Sequence, residues 1–210
     1  MTNNILEISE LLVSRLCHDI ISPVSAIANG LELLEGEDGK NTEMLDQIIP
    51  LAKEGSMRAL ALLQYFRLSL GTGYRDKHIS LQEIKNTANQ YFAGTKIQIV
   101  WPEKFALLET KLFVSRLLLL TLINLPDAMP RGGVIKVSEN KSTLTYELQA
   151  NDIRWTEDLD RFFAKFDAPD PLTTKKVLWA LLAAYTSAFS INAKVTKLSN
   201  FVQLTYQLTT

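Results

Sequence analysis

The first 70 residues contain two long stretches in which apolar side chains recur at helical spacing. In the first stretch they fall on one stripe when the segment is wound at about 100° per residue, and the stripe comprises Val13, Leu16, Ile20, Val24, Ile27, Leu31 and Leu34. In the second stretch they lie alternately three and four apart, as in a coiled-coil seam made of Leu45, Ile48, Ala52, Gly55, Ala59, Leu62 and Phe66. The run from Gly36 to Gly39, two glycines around two acids, separates the stretches. This pattern predicts two antiparallel helices, at about residues 5–35 and 41–70.

The second predicted helix carries more apolar surface than one partner helix can cover. A second strip lies beside its seam and comprises Ile49, Leu60, Leu63 and Leu70. Two hairpins that meet as a four-helix bundle would bury both strips. The sequence therefore predicts a homodimer. Pro50 predicts either a bend in the second helix or a later start for it.

Composition restricts the possible partners. The chain has 210 residues, 47% of them hydrophobic, and its 23 acidic residues nearly balance its 22 basic ones, without any basic run. This balance disfavours nucleic acid and anionic membrane surfaces as partners and favours a protein or a small ligand. The N-terminal residues lack the pattern of a signal peptide, and the most apolar helix is interpreted as too short and interrupted to span a bilayer. We therefore expect a cytoplasmic protein. Cys17, the only cysteine, cannot form an internal disulfide and is assigned no chemistry.

A different pattern follows the stretch from Gly71 to His78, in which two glycines and a charge cluster predict a domain boundary. Ser80 and Glu83 form a capping box at the start of a helix that ends near Tyr91. Further elements are predicted as strands at 96–100, 134–138, 144–148, 194–198 and 201–208, and as helices at about 110–125, from Thr156 to Phe163 and from Thr173 to Phe189. The chain thus divides into a helical hairpin, residues 1–72, and a layer of helices over one mixed sheet, residues 73–210, and its fold class is α+β.

His18 is the candidate nucleophile of the hairpin. On the helical wheel it points away from the apolar stripe, with Arg15 and Ser22 about one turn to either side. An imidazole with a pKa of about 6.5 is largely neutral at cellular pH and can attack an electrophilic phosphorus. The carboxylate of Asp19 can hold one tautomer of the ring and leave the other nitrogen free. Pro23 leaves the carbonyl of Asp19 without its helical donor and predicts a kink just past the histidine.

The alternative interpretation is that His18 is merely a solvated histidine on the helix surface, without chemistry. The second histidine, His78, lies in or just after the predicted linker, with no predicted helix to orient it. We interpret His78 as a surface residue without chemistry.

The helix face around His18 carries small and apolar groups where a solvated face would carry Lys and Glu. Besides Arg15 and Ser22, this face comprises Leu11, Ser14, Ile21 and Ser25. Small serines let another helix or loop approach the imidazole, and Leu11 and Ile21 would be apolar anchors beside it. The face is therefore predicted to dock a partner. The alternative is that two stray apolar residues on a helix surface have no function.

The segment around the histidine resembles the H-box of dimeric two-component histidine kinases and phosphotransferases, in which His is followed by Asp or Glu and, five places on, by Pro. Here it reads His18-Asp19-Ile20-Ile21-Ser22-Pro23. The phrase from Asn124 to Gly133, together with the order of the predicted elements, resembles the ATP-binding domain of the same kinases. In those kinases an asparagine on a helix supplies a magnesium ligand, and Asn124 matches it.

This second resemblance fails at the nucleotide site. The kinases have a D-x-G-x-G loop and a second glycine-rich segment, whose glycines let backbone amides approach the phosphates. Here the first site reads Gln149-Ala150-Asn151-Asp152-Ile153, no glycine follows Gly133, and the second segment opens with Val177, Leu178 and Trp179. Asn124 is therefore interpreted as a remnant of the fold. No cofactor or metal site of the chain's own is predicted.

A kinase-shaped chain that keeps the histidine box and lacks the ATP site resembles the ChpT-type histidine phosphotransferases. The resemblance implies a dimeric four-helix bundle for phosphotransfer, followed by an ATPase-like α/β sandwich without a nucleotide site. It further implies a bacterial phosphorelay in which His18 takes a phosphoryl group from the receiver domain of a hybrid histidine kinase and passes it to the aspartate of a response regulator. By resemblance these regulators are of the CtrA and CpdR types.

In this interpretation His18 and Asp19 carry the chemistry, Arg15, Ser22 and Pro23 support it, and Mg²⁺ belongs to the partner receiver domain. Whether the chain counts as an enzyme is left open, since it would be a relay intermediate without ATP-dependent kinase activity. Two alternatives remain from other functional classes. One is an ATP-dependent sensor histidine kinase core, and the other is a non-catalytic adaptor that binds kinases or response regulators.

Overall fold

The computed structural model describes residues 2–36, 42–71, 78–107, 112–166, 171–198 and 201–208. Its first two elements are the long helices α1 (Thr2–Gly36) and α2 (Thr42–Leu70), which pack against each other as an antiparallel hairpin. The predicted bounds of both helices are confirmed to within a few residues. The predicted reversal from Gly36 to Gly39 falls largely on residues 37–40, which lie outside the described residues.

Both helices run through their prolines. Helix α2 begins at Thr42, eight positions before Pro50, so the alternative prediction of a later helix start at Pro50 was wrong. Pro50 removes the backbone donor for the carbonyl of Asp46. Because Asp46 and Pro50 are both exposed, water can satisfy that carbonyl and the helix continues.

Glycine lets the two helices approach each other closely. A Cβ on Gly55 of α2 would lie 2.9 Å from the carbonyl oxygen of Pro23 and 3.0 Å from Cγ1 of Ile27. A Cβ on Gly30 of α1 would lie 3.3 Å from Cγ2 of Ile48. Pro23 and Gly55 are therefore in van der Waals contact one turn beyond the candidate histidine, where a larger residue would push the helices apart.

A single hairpin leaves much of its apolar surface uncovered. In α1 the residues of the predicted stripe that remain exposed are Val13, Val24 and Leu31. In α2 the exposed apolar residues of the second strip are Ile49, Leu60 and Leu63. Leu70 was wrongly assigned to that strip, because it packs against the core of the α/β domain at the end of α2.

The rest of the described chain forms an α/β domain. Its helices are α3 (Leu81–Phe92), α4 (Leu112–Asn124), α5 (Glu157–Lys165) and α6 (Val177–Ala188), and a short 3₁₀ turn, Leu125–Ala128, follows α4. Its strands are β1 (Ile97–Val100), β2 (Gly133–Asn140), β3 (Thr143–Gln149), β4 (Asn192–Lys197) and β5 (Val202–Gln207). These bounds confirm the α+β class and the predicted order of elements.

Within the described residues the strands form a five-stranded sheet in the order β1-β2-β3-β5-β4. β1 pairs with β2 in parallel, and the other pairs are antiparallel. Alternate residues of the central strands point into the core, as expected for a sheet with one covered face; they are Ile135, Val137, Leu144, Tyr146, Leu148, Val202, Leu204 and Tyr206. Thr121 of α4 contacts the Tyr206 hydroxyl at 3.1 Å, which places that helix on the covered face.

Two predicted helix caps are confirmed. The Ser80 hydroxyl accepts a hydrogen bond from the Glu83 amide at 3.1 Å, and the Thr156 hydroxyl accepts one from the Leu159 amide at 3.4 Å. The predicted start of the last helix at Thr173 was wrong by one turn. Thr173 instead accepts from the Lys176 amide at 3.3 Å, and this forms a turn that precedes Val177.

The hairpin and the α/β domain share one hydrophobic core. Tyr65 and Leu68 of α2 are buried in the same cluster as α3, α4 and the sheet, and the Tyr65 hydroxyl donates to the carbonyl of Leu119 at 2.7 Å. Arg116 of α4 donates to the carbonyl of Ser69 at 2.7 Å and also to that of Leu70, which satisfies carbonyls at the end of α2. The predicted boundary between residues 72 and 73 lies outside the described residues and stays a prediction.

The stretch Leu6–Leu34 of α1 is long and apolar enough to cross a membrane by length and composition alone, with a mean hydropathy of 1.3. The expectation of a helix too short to span a bilayer holds for α6, the most apolar of the described helices with 12 residues, but it did not take the length of α1 into account. In the structure this stretch packs along α2 and carries Arg15, His18 and Asp19. Its apolar residues include the predicted stripe and the further exposed residues Leu6, Ile21 and Leu33.

Alkaline pH offers a test of the core. Among the described residues, burial raises the pKa of Tyr65, Tyr91, Tyr146 and Tyr206, and the value for Tyr91 is about 12. Tyrosines of the unfolded chain ionise near pH 10, so the stability due to burying these hydroxyls is complete below about pH 10 and is lost as pH rises towards the folded-state values.

We expect the tyrosinate absorbance of the folded protein to lag behind that of the guanidinium-unfolded chain from about pH 10 upwards. The free energy of unfolding should fall over the same range. Ultraviolet titration of both states and urea unfolding at each pH measure the two quantities. Coincident titration curves would show that these hydroxyls are not buried as described.

Candidate functional site

His18 projects from the middle of α1 into solvent, with 82% of its side chain exposed. Its Nδ1 lies 3.2 Å from Oδ1 of Asp19. A carboxylate at this position favours the tautomer with the proton on Nδ1, which then donates to Asp19. The lone pair of Nε2 is thereby left free and faces solvent. The predicted exposure of His18 and the predicted contact with Asp19 are both present.

Asp19 is itself held from its other side. Its Oδ2 accepts a hydrogen bond from Nε of Arg15 at 2.8 Å, an ion pair four residues apart on one helix. Only 17% of the Asp19 side chain is exposed, so this pair is partly shielded from water. Arg15 was predicted as a neighbour of the imidazole, and in the structure its guanidinium contacts Asp19. Arg15, Asp19 and His18 form one line of polar contacts along the surface of α1.

The remaining predicted site residues surround this line. Ser14, Ile21, Ser22 and Ser25 are exposed, and Leu11 is half-buried. Pro23 is buried against α2, where its carbonyl faces Gly55. The face around the histidine is therefore as small and apolar as predicted, and its role in docking stays a prediction.

A cleft of about 490 Å³ opens beside His18. One wall is the α1 surface from Arg15 to Ala26, and the other is the α2 surface from Leu51 to Leu62. Tyr91, which comes from α3 of the α/β domain, also lines the cleft. The nucleophile therefore lies at the edge of a concave surface to which both parts of the chain contribute.

Arg58 and Tyr91 are among the cleft residues that sequence reasoning missed. The guanidinium of Arg58 lies over the ring of Tyr91, 5.2 Å from its centroid, and donates to the backbone carbonyl of the same residue. Burial raises the pKa of the Tyr91 hydroxyl, and the nearby charge of Arg58 opposes the rise. No sequence motif marks this pair, because the two residues lie 33 positions apart on different elements.

The residues whose resemblance to the kinase nucleotide site was considered in the sequence analysis are packed into the α/β domain. The Asn124 amide nitrogen is buried and donates to the carbonyls of Leu120 at 2.8 Å and Leu178 at 3.3 Å. The buried indole of Trp179 donates to Oδ2 of Asp127 at 2.9 Å. Asn124 therefore ties α4 to α6, in keeping with its interpretation as a structural residue.

Other bulky residues complete this packing. Leu178 is buried beside Trp179, and Ile153 packs against the core. Among the described residues, no three His, Cys, Asp or Glu side chains are grouped so that they could hold a metal ion. The absence of a cofactor of the chain's own stays a prediction.

Comparison with known protein families decides what kind of chain this is. A sequence model described as the histidine phosphotransferase C-terminal domain matches residues 81–197, more than half of the chain. The chain belongs to this family. Protein phosphotransferase ChpT of Brucella abortus (strain 2308) is 40% identical to it over 138 residues, which is 65% of this chain and 63% of that protein. The match to this relative thus spans less than two thirds of the relative's length.

Solved structures extend the fold comparison to the hairpin of this chain. The 1.7 Å structure of a bacterial phosphotransferase aligns over 96% of both chains, with a TM-score of 0.74 and 24% identity. The histidine kinase AdeS of Acinetobacter baumannii aligns over 91% of this chain and 97% of that one, with a TM-score of 0.42 and 9% identity. The first alignment shows that the arrangement of hairpin and α/β domain is an established fold.

The contact of Gly55 with Pro23 predicts a measurable cost for Gly55→Ala. The new methyl group would meet the backbone carbonyl of Pro23, so α1 and α2 must separate one turn beyond the histidine. Overpacking of this kind costs about 1–3 kcal/mol, and the higher helix propensity of Ala recovers about 1 kcal/mol. We expect a net loss of about 1 kcal/mol in the free energy of unfolding, measured with urea.

Ser56→Ala is the matched control, because Ser56 is the exposed neighbour of Gly55 on the same helix. It should leave the stability unchanged or raise it slightly. If Gly55→Ala were as stable as Ser56→Ala, the two helices would not be in close contact at Pro23.

Proposed function

We propose that this histidine phosphotransferase relays a phosphoryl group through His18 in a bacterial phosphorelay. The donor is the aspartyl phosphate on the receiver domain of a hybrid histidine kinase, and the acceptor is the aspartate of a response regulator. The observation that carries the proposal is the exposed imidazole with Nδ1 held by Asp19 and Nε2 free. Membership of the phosphotransferase family supports the same reaction.

The chemistry balances without a further reactant. The lone pair of Nε2 attacks phosphorus, a P–N bond forms, and the P–O bond to the donor aspartate breaks with its electron pair leaving on the carboxylate. In the second half-reaction a carboxylate oxygen of the acceptor attacks phosphorus, the P–N bond breaks, and Nε2 recovers its lone pair. No proton has to move, because the single ring proton stays on Nδ1 beside Asp19.

The partners of His18 have separate roles in this proposal. The Asp19 carboxylate fixes the ring tautomer and stabilises the positive charge that the ring gains when Nε2 bonds to phosphorus. Arg15 orients that carboxylate through its 2.8 Å contact. Ser22 leaves room beside the ring, and buried Pro23 anchors this part of α1 against α2. The Mg²⁺ that neutralises the phosphoryl oxygens belongs to the receiver domain.

The proposal gives the chain no ATP site and therefore no kinase activity of its own. It is supported by the packing of Leu178 and Trp179 and by the use of the Asn124 amide in holding α4 to α6. A purely adaptor function would leave the contacts among Arg15, Asp19 and His18 without a role.

We further propose that the functional unit is a cytoplasmic homodimer. The exposed apolar residues of the hairpin form strips along both helices, and a second copy would cover them in a four-helix bundle. The strips comprise Val13, Val24, Leu31, Ile49, Leu60 and Leu63. A second hairpin, rather than lipid, is then the surface that the apolar side of α1 contacts.

The first test of the proposal is the substitution His18→Ala. We expect it to abolish transfer of radiolabel from a phosphorylated receiver domain, because the imidazole nitrogen is the group that bonds to phosphorus. His78→Ala, which removes the other exposed histidine, should leave the labelling intact. Gel autoradiography of both variants measures the result, and persistent label on His18→Ala would refute the mechanism.

The second test separates docking from dimerisation with two matched carboxylates. Ile21 is 61% exposed on the histidine face, and Leu60 is 56% exposed on the α2 strip. Ile21→Asp should keep the dimer, but buries an unpaired charge against the receiver, so transfer should fall by at least about tenfold. Leu60→Asp places the same charge in the dimer interface and should give a monomer at micromolar concentration.

Light scattering measures the mass of each variant, and the receiver assay measures transfer. Full transfer by a folded Ile21→Asp dimer would remove this face from the docking surface. A dimeric Leu60→Asp variant would instead place the dimer interface elsewhere.

A further inference from the structure

The cleft beside His18 is built from three helices that belong to two parts of the fold. His18 stands on α1, Arg58 on α2, and Tyr91 on α3 of the α/β domain. The volume of the cleft, about 490 Å³, far exceeds that of a single phosphoryl group. The cleft is therefore large enough to receive part of a macromolecule that brings a phosphoryl group to the imidazole.

Arg58 connects two of these helices through two contacts with one residue. Its guanidinium covers the Tyr91 ring at 5.2 Å from the centroid, and an N–H of the same group bonds to the Tyr91 carbonyl. A planar guanidinium can make both contacts at once, because it stacks with its face and donates with its edge. Both the ring and the backbone of Tyr91 are thereby fixed relative to α2.

Tyr91 also packs against two other aromatic rings. Its ring centroid lies 4.2 Å from that of Tyr65 and 4.9 Å from that of Phe92. Tyr65 is in turn bonded to the carbonyl of Leu119 in the centre of the α/β domain. Tyr91 is thus held between Arg58 and the shared core, and it gives the cleft a rigid aromatic wall.

Two electrostatic features match this wall to an anionic partner. Within the described residues, no carboxylate forms an ion pair with Arg58, so its positive charge is not neutralised there. The raised pKa of Tyr91, about 12, keeps its hydroxyl neutral at cellular pH. The pair of Arg58 and Tyr91 therefore brings a positive charge to a cleft that the carboxylates of Asp19 and Glu54 also line.

We propose that Arg58 is a positioning residue for phosphotransfer: by holding Tyr91 it fixes the cleft wall against which a phosphorylated receiver domain settles with its aspartyl phosphate facing His18. This inference rests on the proposed relay function. A wall that is rigid before binding saves the cost of ordering side chains in the complex, so its loss weakens docking more than chemistry.

The experiment measures the rate of transfer from a phosphorylated receiver domain to this protein as a function of receiver concentration. For Arg58→Met we expect the half-saturating concentration to rise at least about fivefold while the maximal rate stays within about twofold of wild type. Methionine keeps the length and apolar stem of arginine, but neither its charge nor its donors. Labelling of His18 by phosphoramidate, a small donor that needs no docking, should be unchanged.

A second substitution shows whether Arg58 acts through Tyr91. Tyr91→Leu fills part of the same space, but removes the ring, and it should raise the half-saturating concentration by a similar factor. Combining it with Arg58→Met should add little, since both changes remove the same wall. Ser56→Ala, at an exposed position of α2 that does not line the cleft, should behave like wild type. Arg58→Gln, which keeps an N–H donor but no charge, replaces Arg58→Met if that variant does not fold.

The outcomes distinguish this inference from the function on which it rests. Absence of label on the wild-type chain would overturn the relay function and this inference with it. Normal labelling of wild type with an unchanged half-saturating concentration in Arg58→Met would overturn the inference alone. A fall in phosphoramidate labelling, or additive effects of the two substitutions, would also overturn it, because Arg58 would then act on the chemistry or on the receiver directly.

Discussion

The docking of α2 on the α/β domain determines the geometry of the rest of the molecule. Tyr65 provides its centre, since its ring lies in the shared core and its hydroxyl is bonded to the Leu119 carbonyl. Once α2 is fixed, the contact between Gly55 and Pro23 fixes α1, and α1 presents His18. The direction of the imidazole relative to the sheet thus depends on a tyrosine buried where the hairpin meets the α/β domain.

The features that could be predicted from the sequence are those determined by local physical chemistry. The Ser80 and Thr156 caps depend on residues three positions apart, and the strand alternation depends on nearest neighbours. The exposure of His18 follows from helical periodicity alone, because the apolar stripe of α1 lies on the opposite side of the helix from His18. The bulky residues around Trp179 were equally visible in the sequence, and in the structure Leu178 and Trp179 are buried.

The features that could not be predicted depend on how helices meet. Nothing in the sequence sets the register of α2 against α3, so the pairing of Arg58 with Tyr91 carries no local signal. The apolar stripe of α1 is wider than one partner helix, and periodicity does not tell which members, such as Val24, remain exposed beside a single α2. Leu70 was misassigned for a related reason, because the periodicity of α2 does not reveal that its last turn enters a different core.

The shared core has a consequence for how such a protein can evolve. Tyr65 and Leu68 are encoded in the hairpin but packed in the α/β domain, and Arg116 is encoded in the α/β domain but bonded to the end of α2. Exchange of the hairpin by recombination would place Tyr65 against an unmatched surface and would leave the carbonyl of Ser69 without its partner. We therefore expect the two parts to be inherited as one unit, and the residues around the cleft to change by point substitution rather than by shuffling of domains.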